Sequence, residues 1–376
     1  DMQLLDLKII AEAMGLEGAK YPKMTSFRGL DSPGRTNLRI YWHVGEIPTL
    51  IYWYYLYTQD RAFLETMYPV LRETADFAAL FLVENLATGN YELLPPIATC
   101  DETTNPDSVK NPAFTLAEFK LALTIAVNAA QLLGRDEKDI GRWSQVRDNI
   151  VPISHNGKVY LIYEGFEESW TPRHTRSHPS VLGPFFPAFA VPDDSLIRNT
   201  YEKVLAHWNW DEVWGWDFGF AAAVGAWLGR AEDAVNCLLK AESKMNPLVT
   251  FSGGGVKSYL PGNGGIVLGL NEMLLRSLDG TVRLFSGIPL TWNVKIDSLR
   301  AAGAFLISAR RSNGSVNTIT IKSLAGNLCR MELPAGWFYD RLQIKVNGES
   351  VAKEKVSGRI VEFPAEPNST YELSQF

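Results

Sequence analysis

Carboxyl groups set among aromatic side chains are the residues of this 376-residue chain best suited to chemistry. Asp101-Glu102 stand in a polar loop between two apolar stretches. Asp217 closes the run W-N-W-D-E-V-W-G-W-D, with four tryptophans in ten residues. Glu46 follows Trp42-His43 and stands just ahead of Pro48. A carboxylic acid on a loop can protonate a leaving oxygen, and a carboxylate opposite it can activate water or attack carbon. Trp42, Trp214 and Trp216 can stack on the apolar faces of sugar rings. His43, His174, His178 and Asn263 can hydrogen-bond hydroxyl groups. Each also has a plainer role open to it. Asp217 and Glu46 can cap helices, Asp101-Glu102 can be a solvated turn, the histidines can be structural and the tryptophans can be core. Asn263 can simply form a turn. Glu167 and Glu168 read as surface acids.

These residues need elements to position them. Apolar spacing predicts helices over 2–14, 49–58, 63–86, 114–133, 137–150, 196–207, 218–228, 231–245 and 266–277. Gly15 and Gly134 read as stops. The candidate residues fall mainly between these helices, in long connections that are functional more often than not. Leu93, Leu94 and Ile97 make part of the 87–112 loop apolar, which predicts that it packs inward. Pro261 through Gly265 read as a glycine-rich turn leading into the last helix. From Thr281 onward short β-rich runs at 298–309, 316–323, 328–333, 342–346 and 359–363 predict a small β-sandwich. Asn313-Gly314 and Asn347-Gly348 mark tight turns between them. The expected organisation is therefore a helical domain over 1–280 and a β-sandwich domain over 281–376.

Composition narrows the function classes. Hydrophobic residues make up 46% of the chain, enough for a large core, and the net charge is only -6. No basic stripe is present, so a nucleic-acid partner is not expected. The apolar runs at 47–58 and 218–228 are too short to span a bilayer, so no membrane partner is expected either. Cys100, Cys237 and Cys329 lack metal-ligand spacing and are expected to be free thiols. No cofactor and no metal are expected.

The stretch Gly262–Ser277 resembles the end of the catalytic domain of glycoside hydrolase family 95, the alpha-L-fucosidase and L-galactosidase family. That family has a D-G-N-F-G-G turn followed by a helix ending E-M-L-L-x-S. Gly262, Asn263, Gly265, Gly269, Glu272, Met273, Leu274, Leu275 and Ser277 match it. Arg61–Val83 resembles the family's F-L-x-x-x-Y-P-x-L helix, with Phe63, Leu64, Tyr68, Pro69 and Leu71 matching. Ser177-His178 and Pro187 match its H-R-H-x-S-H-L-x-x-L-y-P segment.

The resemblance implies an (α/α)6 toroid followed by a β-sandwich. Twelve helices close such a ring and nine or ten are counted, so a first helix pair, and any domain ahead of it, is expected to lie outside this chain. It also implies a general acid at Asp101 or Glu102, of which the longer Glu102 is preferred. Two departures stand out. Pro261 occupies the place of the family's catalytic Asp, and the family's asparagine base lies upstream of this chain. The expected activity is hydrolysis of O-glycosyl bonds in a plant or host glycan, exo-acting and inverting, with an oligosaccharide or glycoside substrate. The acid is Glu102 or Asp101, and the base is drawn from Asp217 or Glu46. The alternative is a carbohydrate-binding relative that has lost catalysis. A secreted or periplasmic place in a bacterium is expected.

Overall fold

The computed structural model describes residues 2–24, 36–100, 104–166, 178–245, 251–253 and 256–375. Among them nine α-helices form in the order α1 (Met2–Glu12), α2 (His43–Thr58), α3 (Arg61–Phe81), α4 (Ala113–Leu133) and α5 (Glu137–Asp148). Then come α6 (Ser195–His207), α7 (Gly215–Trp227), α8 (Ala231–Ser243) and α9 (Leu260–Leu274). Local chemistry sets several ends. Gly134 takes a left-handed φ of 66° after α4, a conformation that costs glycine little. Asp194 starts α6, its Oδ1 accepting the Ile197 N–H at 3.0 Å.

The chain divides into two compact units, Asp1–Tyr52 with Arg61–Val213, and Trp53–Asp60 with Trp214–Phe376. In the first, α4 packs on α3 and α5. By length and composition α4 is apolar enough to cross a membrane, but 61% of its most apolar window is buried in the protein. It is thus the core helix of its unit, with Leu116, Phe119, Leu123 and Ala126 fully enclosed. The loop after α3 forms a short hairpin, Val83–Asn85 with Asn90–Glu92. Leu93 and Ile97 of this loop are fully buried, as their apolarity predicts, while Leu94 is exposed.

In the second unit α7 packs against α8 and α9. The strands that follow form a six-stranded antiparallel sheet and a three-stranded one. The larger sheet runs in the order Glu349–Ser350, Leu342–Val346, Thr370–Gln375, Ser315–Ser323, Phe305–Ser312 and Val294–Ala301. The smaller comprises Leu328–Glu332, Ile360–Pro364 and Glu354–Ser357. Alternate residues of both are buried, among them Ile319, Ile321 and Leu373 in one sheet and Met331, Val361 and Phe363 in the other. Phe363 meets Tyr371 across the layers with ring centroids 5.3 Å apart.

Among the elements that differ from the sequence expectation, the helix expected over 63–86 ends at Phe81, and Val83–Asn85 form a strand instead. The run expected as one strand over 298–309 is two strands turning at Gly303, whose φ is 83°. α2 begins at His43 rather than near Thr49, so Pro48 lies inside it. α9 begins at Leu260, which makes Gly262–Gly265 helical rather than a turn. Packing explains the last case. A Cβ on Gly219 of α7 would sit 2.7 Å from the Gly265 Cα, and one on Gly265 would sit 2.9 Å from the Trp216 carbonyl oxygen. A Cβ on Gly269 would come within 2.8 Å of the Gly219 carbonyl. The glycines let two helix backbones touch, a benefit that outweighs their poor helix propensity.

Candidate functional site

In the first unit the start of α2 gathers the titratable groups. Backbone bonds from Val44 N–H to the Tyr41 carbonyl and from Gly45 N–H to the Trp42 carbonyl open the helix. His43 and Glu46 then lie one turn apart on the same face. Glu46 Oε2 meets His43 Nδ1 at 2.5 Å, with Glu46 46% and His43 19% exposed in their side chains. His43 Nε2 is buried and makes no hydrogen bond among the described residues. A neutral imidazole that donates from Nδ1 to the carboxylate presents Nε2 as an acceptor. Trp42 is buried with Ile40 and Ala98. Its ring centroid lies 5.2 Å from that of His43 and 6.1 Å from that of Phe114.

A second acid completes this group. Glu118 of α4 is almost wholly buried, and its backbone lies so close to α2 that a Cβ on Gly45 would come within 2.7 Å of the Glu118 carbonyl oxygen. Burial, and then the negative charge of Glu46, hold the Glu118 carboxyl well above the ordinary range. Glu118 is therefore biased toward its protonated form, and it lies near the carboxylate of Glu46. Sequence reasoning missed it. The available signal was that Glu118 and Lys120 are the only charged residues in the 21 of α4.

In the second unit Gly265, two residues after Asn263, abuts the Trp216 backbone. Asp217 is the third residue of α7 and is fully buried. Its Oδ2 accepts the Trp214 N–H at 3.2 Å, which ties the helix start down. Trp214 and Trp216 are half-buried, and Pro261 is exposed in the first turn of α9. Further along α9, Glu272 is buried and accepts the Trp227 indole N–H at 2.8 Å. Burial is the main cause that raises its carboxyl to about 7. Burial, with the charge of Glu272, pushes the Tyr57 phenol up to about 12.

Of the other expected site residues, His178 is half-buried in the first unit. Asp101, Glu102 and His174 lie outside the described residues. Cys100, Cys237 and Cys329 are free thiols, and burial pushes the Cys329 thiol up to about 12. Among the described residues no group of three or more His, Cys, Asp or Glu side chains is placed to hold a metal ion.

Comparison with known proteins gives this geometry a family. The model of the glycosyl hydrolase family 95 catalytic domain matches residues 10–274. That of the glycoside hydrolase family 95 C-terminal domain matches residues 276–373. No curated protein matches the chain. Among solved structures, one described as "Putative kojibiose phosphorylase from human microbiome" is similar with a TM-score of 0.61 at 13% identity. The match covers 97% of this chain and 56% of that one. A Streptomyces avermitilis alpha-L-rhamnosidase complexed with L-rhamnose is similar with a TM-score of 0.52 at 14% identity, over 99% of this chain and 36% of that one. The chain thus spans about half the length of the first and about a third of the second. These likenesses carry the fold alone, that of the six-hairpin (α/α)6 glycosidase toroid with a C-terminal β-sandwich. With family models matched over nearly its whole length, the chain belongs to glycoside hydrolase family 95.

Proposed function

We propose that the chain carries out hydrolysis of O-glycosyl bonds, removing a terminal L-fucose or L-galactose residue from a plant or host glycan. The match of the family's catalytic domain over residues 10–274 carries this reading. The proposed mechanism is inverting. Glu102, or its neighbour Asp101, protonates the leaving oxygen, while a carboxylate roughly 6.5–9.5 Å away activates water. Glu46 and Asp217 are the candidate bases. The exposure of Glu46 and its contact with His43 favour Glu46, because a base must reach water. Asp217 is enclosed and engaged at a helix start. Trp42, His43, Trp214, Trp216, His174, His178 and Asn263 are proposed to contact sugar. A glycan substrate fits a secreted or periplasmic place of action.

The test is turnover of aryl α-L-fucosides and aryl L-galactosides by the parent chain and by Glu102→Ala, Asp101→Ala, Glu46→Ala and Asp217→Ala. Loss of the acid or base is expected to lower kcat by about 10²–10⁴-fold. Full retained turnover in a variant removes that residue from the site. Pro261, standing where the family has its catalytic Asp, favours a second reading, a lectin-like relative. Calorimetric sugar binding without turnover of any glycoside would establish that one instead.

A further inference from the structure

A concave site, lined by none of the carboxyls proposed for catalysis, lies in the second unit. It is a cleft of about 690 Å³, within the range of small-molecule sites. Five arginines line it, Arg230, Arg276, Arg283, Arg311 and Arg359, against Glu232, Asp233 and Glu332. Most of these charges are accounted for. Arg230 pairs with Asp233 at 2.8 Å. Arg283 reaches Asp279 at 2.6 Å and Glu332 at 2.9 Å, and Arg359 also pairs with Glu332. Arg311 donates to the Ile288 and Pro289 carbonyls at 3.1 and 2.5 Å, holding the cleft's rim.

Arg276 is different. No ion pair engages it among the described residues. It stands directly opposite Arg283 in the short ladder Leu275–Arg276 with Arg283–Leu284. Opposed residues of an antiparallel pair project to one face, where like charges are destabilising. One Nη of Arg276 donates to the Trp227 carbonyl at 2.7 Å, and its guanidinium lies 4.9 Å from the Trp227 ring centroid. Its Nε is buried and unbonded, and so is the Oγ of Ser286, which lines the same cleft. Burial, followed by the charge of Arg283, pushes Arg276 down to about 10, while Asp279, Glu332 and Glu272 pull the other way without pairing with it. A buried, unbonded donor on a charged group is costly, so such a group calls for a partner, whether an ordered water, an ion or a ligand.

We propose that this cleft binds an oxyanion, the carboxylate or sulfate of a sugar-sized molecule, with Arg276 and Ser286 as its donors. An oxyanion there offsets the Arg276–Arg283 repulsion and receives both unbonded donors, and the planar guanidinium suits its geometry. The proposal stands independently of the hydrolase reading.

Calorimetric titration of the full chain with glucuronate, glucose 6-sulfate and neutral glucose tests it. Both anionic sugars are expected to bind, more weakly as salt is added, and glucose is expected not to. Arg276→Met is expected to weaken binding at least about tenfold, and Ser286→Ala about threefold to tenfold. Ser286→Ala removes a single oxygen, so it reads the site even if Arg276→Met disturbs the Trp227 contact, and turnover of aryl glycosides is expected to be unchanged in it. Equal binding of glucose and glucuronate, no binding of any of the three, or parental affinity in both variants would overturn the proposal.

Discussion

Glu118 holds its proton to higher pH than an ordinary glutamate does, because its carboxyl is buried beside the charge of Glu46. A raised carboxyl has a definite stability consequence. Above the unfolded value of about 4.5 the unfolded chain releases this proton while the folded chain keeps it, so stability falls as pH rises. Glu118→Gln is expected to remove that slope, gaining stability over the parent chain as pH rises above the ordinary carboxylate range in urea denaturation series. An unchanged slope would mean that Glu118 is ionised in the folded protein. Glu272 obeys the same rule over a narrower window, from 4.5 to about 7. A shift of that size corresponds to about 3 kcal/mol, lost progressively as pH climbs through the window. Glu272→Gln keeps an acceptor for the Trp227 indole and is expected to recover most of that loss.

Between α7 and α9 the decisive feature is backbone contact. Gly219, Gly265 and Gly269 leave no room for a methyl group, and the atoms in the way are largely backbone. Gly265→Ala and Gly219→Ala are each expected to destabilise by about 3 kcal/mol or more, since overpacked backbones can relieve strain only by separating the helices. Gly264, one residue away in the same helix, meets nothing within 4 Å. Gly264→Ala is therefore expected to stabilise by about 0.5–1 kcal/mol, through propensity alone. Thermal melts of the three variants separate packing from propensity. Since this contact sets the start of α9, which carries Asn263, against the Trp216 backbone, Gly265→Ala is also expected to raise KM for any sugar that either residue touches.

For the whole molecule, the two family models meet between residues 274 and 276, whereas the compact units divide the chain at Val213/Trp214. We propose the domain boundary near residue 280 on the grounds that the later strands bury their own apolar faces. Residues 281–376 expressed alone are then expected to unfold cooperatively with a dispersed NMR spectrum. If only 214–376 does so, the boundary belongs at the edge of the compact unit. That outcome has a cause within 214–376, because Arg283–Leu284 pairs with Leu275–Arg276 and the Ala302 N–H bonds to the Ser277 Oγ at 3.0 Å. For the reaction, the inverting mechanism predicts that the first sugar released from an α-linked substrate is the β anomer, which NMR during early turnover reads directly.

By itself the sequence determined what depends on neighbours in the chain. Gly134 as a helix stop, the helices from Ala113 to Ser243, and the tight turns at Asn313-Gly314 and Asn347-Gly348 follow from caps, periodicity and residues that tolerate positive φ, which both turns show. The family was legible too, because its motifs are short and ordered along the chain. Tertiary structure alone decided the rest. The glycine run could be read as a turn because its helical state depends on a partner helix some 45 residues earlier, where Gly219 lets the backbones meet. Glu118 was invisible as an acid because its proton is held by burial against α2 and by Glu46, neither adjacent to it in the chain. Arg276 gains its meaning only from the register that sets Arg283 opposite it. Local propensity is written in adjacent residues, whereas desolvation, close approach and charge repulsion exist only between residues that folding brings together.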